Sequence, residues 1–285
     1  MAMLLPSKDE IYSIYECIEI LKVRIKFNTF NDDDRKKAHD IFSRAISYLK
    51  ITNILDVNKE KKDSFVFYRA RKGISSEINN IEGLIFPPKD KCRLGRMNYE
   101  KQQILYTSLN EYTALLETEI ETAEYFQLTR FLLVDQIRYY YLGNFSEVFL
   151  NFYRDSNFTK EQCKEWFGDP EASSSSLERL SELEHSLLSV FYGEFHQLSS
   201  ILSNVILNQN NVDAIAYPTV KNKFGINFAF TLEGYKKLSP VYTSFNKIIE
   251  KRLSGFFKYK TLKDSFIKDS VNLDYNDIKE NAQYR

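Results

Sequence analysis

The chain has 285 residues, with 39 Lys and Arg against 39 Asp and Glu, so its formal charge is zero. That balance lacks the basic excess with which a protein neutralises many phosphates, and it disfavours nucleic acid as the main ligand. A hydrophobic content of 43%, with 22 Phe and 19 Tyr, is ample for a large core and excludes disorder of the whole chain.

Gly contributes 9 residues and Pro 6, where average usage would give roughly 20 and 14. Few breakers imply long uninterrupted elements, mainly helices. No apolar run approaches the ~20 residues of a membrane span. The segment Met1 to Pro6 is too short for a signal sequence, so the expectation is a cytoplasmic protein with no membrane partner. Cys17, Cys92 and Cys163 are odd in number and widely spaced, which argues against a disulfide framework and a zinc site.

Ser7 followed by Glu10 is a capping-box pattern, and Ile11, Ile14, Tyr15, Ile18 and Leu21 recur at helical spacing, predicting a helix over 8–26. Asp32, Asp33 and Asp34 suit a helix N-terminus, and the stripe Ala38, Ile41, Phe42, Ala45, Ile46, Leu49 completes a helical hairpin. The charged run Lys59 to Asp63 breaks this pattern, and a boundary is placed near 62, giving an N-terminal helical region 1–62 and a second region 63–285. Phe65 to Tyr68 reads as a strand. Arg69 to Asn98 reads as a loop holding Gly73, Gly83, Pro87, Pro88 and Gly95.

Ile104 to Thr107 is a short strand, and Asn110 to about Glu121 a helix capped by Ser108 or Asn110. Tyr125 to Val134 is a further strand. Segments near 145–154 and 159–167 read as helical, Gly168 to Ser176 as a flexible connector, and Leu177 to about Gln209 as helix with an interruption at Gly193. Ala214 to Tyr217 and Ile226 to Phe230 are two apolar strands around a turn. The tail from 231 is mixed, with no dominant period. The fold class is α+β, with a mixed or antiparallel β core, an N-terminal helical hairpin and a helical insertion over 136–210.

Chemistry concentrates in four islands: Phe67-Tyr68-Arg69-Ala70-Arg71; Gly95-Arg96-Met97-Asn98; Leu105-Tyr106-Thr107 leading to Thr113 through Glu117; and Asp213 through Val220 leading to Gly225-Ile226-Asn227. Arginines at a strand end can aim planar, permanently charged forks at phosphate. Gly95 lets a ligand approach the backbone, and Tyr106 offers a flat face for stacking. A carboxylate such as Glu117 can accept a ribose hydroxyl and stabilise the positive charge that develops as a glycosidic bond breaks. Singly each residue reads as ordinary: Arg69 and Arg71 as strand-end ion pairs, Glu117 as one of several solvated acids, Tyr106 as one of 19 tyrosines. His39, His185 and His196 lie far apart and suggest structural or surface roles, and Tyr139 to Tyr141 reads as core packing.

Their order is more specific. FYRAR, GRMN, LYTS with an Ala-x-x-Glu whose Glu lies eleven residues past Tyr106, then DAIAYPT and G-x-N, resembles the RES family over about 65–230, with gaps. That family is named for an Arg, a Glu and a Ser, is related to ADP-ribosyltransferases, and includes toxins of bacterial toxin–antitoxin pairs that degrade NAD. The resemblance implies an ADP-ribosyltransferase-like core over 65–135 and 211–230. Arg69 takes the family Arg position, Glu117 the Glu, and Arg96 and Tyr106 further polar positions of the pocket. Thr219 stands at the Ser position, and Asn98 and Asn227 add polar contacts.

The implied reaction cleaves the nicotinamide–ribose bond of NAD. Arg69 and Arg96 would hold phosphates, Tyr106 would stack, Glu117 would stabilise the transition state, and Thr219 and Asn227 would orient the sugar or amide. NAD is then substrate, with no cofactor and no metal, and inorganic phosphate is a candidate co-substrate. Alternatives are a protein ADP-ribosyltransferase and a degenerate interaction module. The expected protein partners are a cognate antitoxin or inhibitor, or a second copy of the chain.

Overall fold

A computed structural model describes residues 5–49, 52–56, 65–147, 174–219, 221, 225–252, 256–268 and 272–278. The protein is α+β with a mostly antiparallel sheet. The helices are α1 (Lys8–Lys26), α2 (Asp32–Tyr48), α3 (Ile81–Ile85), α4 (Glu111–Glu117), α5 (Ser174–Tyr192), α6 (His196–Asn210) and α7 (Leu232–Tyr235). The strands are β1 (Asn53–Leu55), β2 (Val66–Lys72), β3 (Leu105–Ser108), β4 (Tyr125–Leu133), β5 (Ile137–Tyr141), β6 (Ala214–Pro218), β7 (Ile226–Phe230), β8 (Leu238–Lys251), β9 (Phe257–Phe266) and β10 (Asn276–Asp277). Among the described residues no helix is long and apolar enough to cross a membrane.

The chain forms two compact units, one built from 1–53, 92–102 and 138–215, the other from 54–91, 103–137 and 216–285. Spatial grouping therefore departs from chain order: the N-terminal hairpin belongs with the later helices rather than standing alone.

In the first unit α1 begins as its sequence dictates, with the Ser7 hydroxyl accepting from the Glu10 N–H. A full capping box opens α2, where the Asn31 side chain accepts from the Asp33 and Asp34 N–H groups and Asp34 accepts from the Asn31 N–H. Ile14, Ile18 and Leu21 of α1 and Phe42, Ala45 and Ile46 of α2 are buried, as are Leu183 and Leu187 of α5 and Leu202 and Ile206 of α6. Gly193 does interrupt the long helical run: a Cβ there would lie 2.5 Å from the Phe195 ring, which folds back against the break.

The 136–210 segment is not wholly helical, because Ile137–Tyr141 is strand β5. Ile137 and Tyr140 are buried, and an aromatic, β-branched run suits a pleated surface. The connector expected over 168–176 is already helix from Ser174. The chain is helical at 144–147, and the rest of the expected helices at 145–154 and 159–167 lies outside the described residues.

Glu184 of α5 is fully buried and accepts from the Gly143 and Ser146 N–H groups at 3.0 and 2.8 Å. Burial pushes its carboxyl up to about 7, and the amide donors pull in the opposite direction. With the folded value raised above the ordinary carboxyl value, the native state holds a proton that the unfolded chain releases. The associated stability is complete at low pH and is lost as pH rises through the folded value. Melting temperature is therefore expected to fall from about pH 5 to about pH 8, and Glu184→Gln is expected to flatten that profile. An unchanged slope in the variant would rule out Glu184 as its source.

The second unit is a sheet running from the end of β6 through β7, β3, β2, β4, β8 and β9 to β10. Among the described residues, β3 pairs antiparallel with β7, β2 with β3 and with β4, β4 with β8, β8 with β9, and β9 with β10. On one face Phe67 packs edge-on against Phe228 and Phe230, each 5.1 Å away. On the other, Leu115, Ile120, Phe126, Leu128, Ile248, Phe257 and Tyr259 form a core joined by Tyr68, Ala70, Tyr112 and Leu116.

Three expectations change here. The loop beginning at Arg69 is strand as far as Lys72, because β2 pairs along its whole length with β4. The helix after β3 stops at Glu117, four residues early, and Glu119 and Ala123 adopt φ of 51° and 70° as the chain turns toward β4. The mixed tail holds the short helix α7 and two long strands, β8 and β9, with β10 at the edge of the sheet.

Candidate functional site

The Asn110 side chain accepts from the Thr113 N–H at 2.8 Å and starts α4 directly after β3. Seven residues later the helix ends, so Glu117 is its final residue rather than part of its first turns. The Lys72 Nζ donates to the Glu119 carbonyl at 2.8 Å and ties down the chain just beyond it.

Glu117 is half-buried, and its Oε1 accepts two hydrogen bonds, from the Thr219 hydroxyl and from the Asn227 Nδ2 at 2.7 Å. Oε2 accepts none from the described residues. Behind Asn227, the Ser108 hydroxyl donates to Oδ1 at 2.6 Å. This chain has one consistent direction. An ionised carboxylate only accepts, so Asn227 must present its NH₂ to Glu117 and its carbonyl to Ser108, which then donates. Asn227, Ser108 and Thr219 are all buried, at 2%, 2% and 6% exposure, so the amide is held from both ends in a low-dielectric setting.

Thr219 is positioned by the β6–β7 connection. Its N–H donates to the Gly225 carbonyl at 3.0 Å, and its hydroxyl also accepts from the Lys221 N–H at 3.0 Å. Gly225 is demanded by packing. A Cβ there would lie 2.5 Å from the Thr219 Cγ2 and 2.6 and 2.8 Å from the Thr113 Oγ1 and Cγ2. The methyl that distinguishes Thr219 from serine thus fits because residue 225 has no side chain. The buried Thr113 Oγ1 has no hydrogen-bond partner among the described residues.

Replacing Thr219 by Ser keeps every hydrogen bond, so stability is expected to change little. Thr219→Val leaves the Lys221 N–H and one lobe of the carboxylate without partners, and a loss of about 1–3 kcal/mol is expected in denaturant unfolding. Equal stability of the Ser and Val variants would show that the hydroxyl is not structurally engaged.

Tyr106 shares this face of the sheet. It pairs with Ala229 as Ser108 pairs with Asn227, and residues two apart on a strand point the same way. Arg69 does not join them. It is Tyr68 that pairs with Ser108, so Arg69 leaves β2 on the opposite side, with Phe67. Its Nη1 donates to the Tyr106 carbonyl at 3.3 Å, bracing β2 against β3 where only one residue pair is in register. Burial, and then the charge on Arg71, push the Arg69 pKa down to about 10, so it stays charged at neutral pH. Arg71 donates to the Gly83 carbonyl at 2.6 Å, holding the loop after β2.

Arg96 and Asn98 belong to the first unit. The Asn98 Nδ2 donates to the Arg93 and Tyr99 carbonyls, each at 2.8 Å, and the Gly95 N–H donates to the Asn98 carbonyl at 3.0 Å, so Asn98 closes its own loop. The buried Arg96 Nε has no hydrogen-bond partner among the described residues. His196, at the start of α6, is held below its ordinary pKa first by burial and then by Arg96. Cys92 is buried.

The site that forms is therefore Glu117, Thr219 and Asn227 with Tyr106 on the same face and Ser108 behind. Ser108 was legible only as a helix cap, because its bond to Asn227 depends on the β3–β7 register. No protein-family model matches the chain, and no curated protein matches it.

Proposed function

We propose that this protein cleaves the nicotinamide–ribosyl bond of NAD, using Glu117 to stabilise the oxocarbenium-like transition state. The observation that carries this reading is the carboxylate itself, with Oε1 fixed by Thr219 and Asn227 and Oε2 without a donor among the described residues. A fixed carboxylate with one oxygen to spare suits a ribose hydroxyl, whose hydrogen bond strengthens as the sugar ring becomes cationic. Because the fixing groups are already in place, little reorganisation is needed as charge develops.

In this reaction the C–N bond breaks with its electron pair going to the pyridine nitrogen, so nicotinamide leaves neutral. Water adds to the sugar carbon and loses a proton, giving ADP-ribose. Inorganic phosphate in its place gives ADP-ribose-1″-phosphate. Tyr106 would stack on the nicotinamide or its ribose, and Arg69 serves this site by bracing the strand that carries Tyr106. Arg96 and Asn98 remain candidates for contacts to NAD through the family resemblance alone.

The ordered motifs support the finer parts of the proposal: an ADP-ribosyltransferase-like core, and the role of toxin in a bacterial toxin–antitoxin or defence system. A cytoplasmic NAD-degrading enzyme would endanger its own cell, so a cognate antitoxin or inhibitor is part of the same reading.

The test is to incubate the purified chain with NAD, with and without phosphate, and to separate the products. Free nicotinamide with ADP-ribose or its 1″-phosphate is expected. Label from NAD retained on protein would make the chain an ADP-ribosyltransferase instead. Intact NAD would overturn the proposal.

A further inference from the structure

Cross-strand partners in the second unit place six side chains in a single row on the face that carries Glu117's supports. Asn227 pairs with Ser108, Ser108 with Tyr68, Tyr68 with Arg130, Arg130 with Tyr242, and Tyr242 with Phe266. Directly opposed residues share a face. With strands about 4.7–4.9 Å apart, the three steps from Asn227 to Arg130 cover about 14–15 Å.

At the far end of this row lies a cavity of about 390 Å³ lined by Val66, Tyr68, Arg130, Leu132, Tyr242 and Asp264, among others. Its volume falls within the usual range of small-molecule sites. The Arg130 guanidinium lies over two rings, 4.9 Å from the Tyr242 centroid and 5.7 Å from that of Tyr68. These contacts engage its faces, and its edge donors make no hydrogen bond among the described residues. Its Nε is buried and has no hydrogen-bond partner among the described residues.

A guanidinium fixed in orientation by aromatic faces presents a planar fork to an oxyanion. The cavity also holds Asp264, whose Oδ2 accepts from the Tyr242 hydroxyl at 3.1 Å. A bare phosphate would be attracted by one wall and repelled by the other. A ribose phosphate matches both, with phosphate oxygens for Arg130 and sugar hydroxyls for Asp264, while the apolar walls of Val66 and Leu132 suit a base.

We propose that this cavity binds the adenylyl half of a dinucleotide whose other half reaches Glu117, with Arg130 taking a phosphate. The assignment of NAD as that dinucleotide rests on the function proposed above, whereas nucleotide binding at Arg130 does not.

Two measurements separate the claims. The first is calorimetric titration of AMP into the full chain. Wild type is expected to bind, Arg130→Ala to bind at least about tenfold more weakly, which corresponds to about 1.4 kcal/mol, and Leu132→Trp, which fills the cavity and keeps the arginine, to lose binding as well. The second compares NAD with nicotinamide mononucleotide, which lacks the adenylyl half. Arg130→Ala should raise KM for NAD at least about tenfold with kcat little changed, and leave kcat/KM for the mononucleotide within about twofold. Arg130→Lys, which keeps the charge but loses the fork, should fall between.

Failure of AMP to bind wild type, or equal binding by all three proteins, would overturn the cavity assignment, even if NAD is cleaved. AMP binding that depends on Arg130 in a chain that leaves NAD intact would uphold the cavity and overturn the cleavage reaction. Equal losses for NAD and the mononucleotide would show that Arg130 acts through the fold, and would also overturn the assignment.

Discussion

Glu117→Gln is expected to slow nicotinamide release from NAD by about 10²–10³-fold, the usual effect of removing one preorganised electrostatic group from a transition state. The substitution preserves the shape of the site. A glutamine Oε1 still accepts from the Thr219 hydroxyl and the Asn227 amide, so the helix end and the β6–β7 connection keep their bonds. The negative charge is removed, and the second carboxylate oxygen, Oε2, is replaced by an NH₂ that donates instead of accepting. The melting temperature should accordingly stay within a few degrees of wild type, and the loss should appear in kcat more than in KM, because the charge is needed most when the sugar becomes cationic. A Gln variant with wild-type turnover would exclude Glu117 as the catalytic group.

Gly225→Ala is expected to damage both stability and turnover through a single added methyl. The added Cβ would lie 2.5 Å from the Thr219 Cγ2 and 2.6 Å from the Thr113 Oγ1, and overpacking of this kind costs about 1–3 kcal/mol. Thr113 sits on α4 and is fully buried, so it has little room to retreat. Thr219 must move instead, which takes its hydroxyl off Glu117 and reduces turnover by at least about tenfold, in line with the loss of one hydrogen bond to a charged group. Adding Thr219→Ser removes the methyl in closest conflict and is expected to restore part of both stability and turnover. The Thr113 contacts remain, so recovery should be incomplete. Wild-type turnover and melting temperature in Gly225→Ala would contradict this packing directly.

The parts of the molecule that sequence made legible are those with local signals. Ser7 and the acidic start of α2 announce helix N-termini, and the buried stripes Ile11, Ile14, Ile18 and Ala38, Ile41, Ala45 follow at helical spacing. Strand β7 is a compact apolar run and reads as such. By contrast β8 lacks an apolar alternation, and in β9 the alternation of Phe257 and Tyr259 with Lys258 and Lys260 spans only one end of the strand. β8 buries Thr243, Ser244 and Asn246, and β9 carries Lys258, Lys260 and Lys263 between its buried residues. What makes β8 a central strand is a set of partners far away in the chain. The Gln127 Nε2 donates to the Thr243 Oγ1 at 2.6 Å, and Thr129 and Thr243 share a hydrogen bond at 3.1 Å. Such cross-strand pairs have no local signature.

The same distinction applies to the site. Glu117, Thr219 and Asn227 could be selected as residue types with suitable chemistry, and the structure brings their polar atoms together. The position of Arg69 could not be read in advance, because a side chain's face is fixed by strand register, and a shift of one residue reverses it. Pairing of Tyr68 with Ser108 decides the matter. Arg130 was obscured for a related reason. It lies within the strand Tyr125 to Val134 with no local signal of its own, and only the pairing with Tyr68 and Tyr242 sets it between two rings.

The central claim is that a carboxylate held by Thr219 and Asn227 cleaves NAD, and its most direct test is the release of free nicotinamide by wild type and Glu117→Gln side by side. Nicotinamide should accumulate with time in proportion to wild-type protein and remain near background with the variant at equal folded concentration. Release at the same rate by both proteins, or by neither, would contradict it.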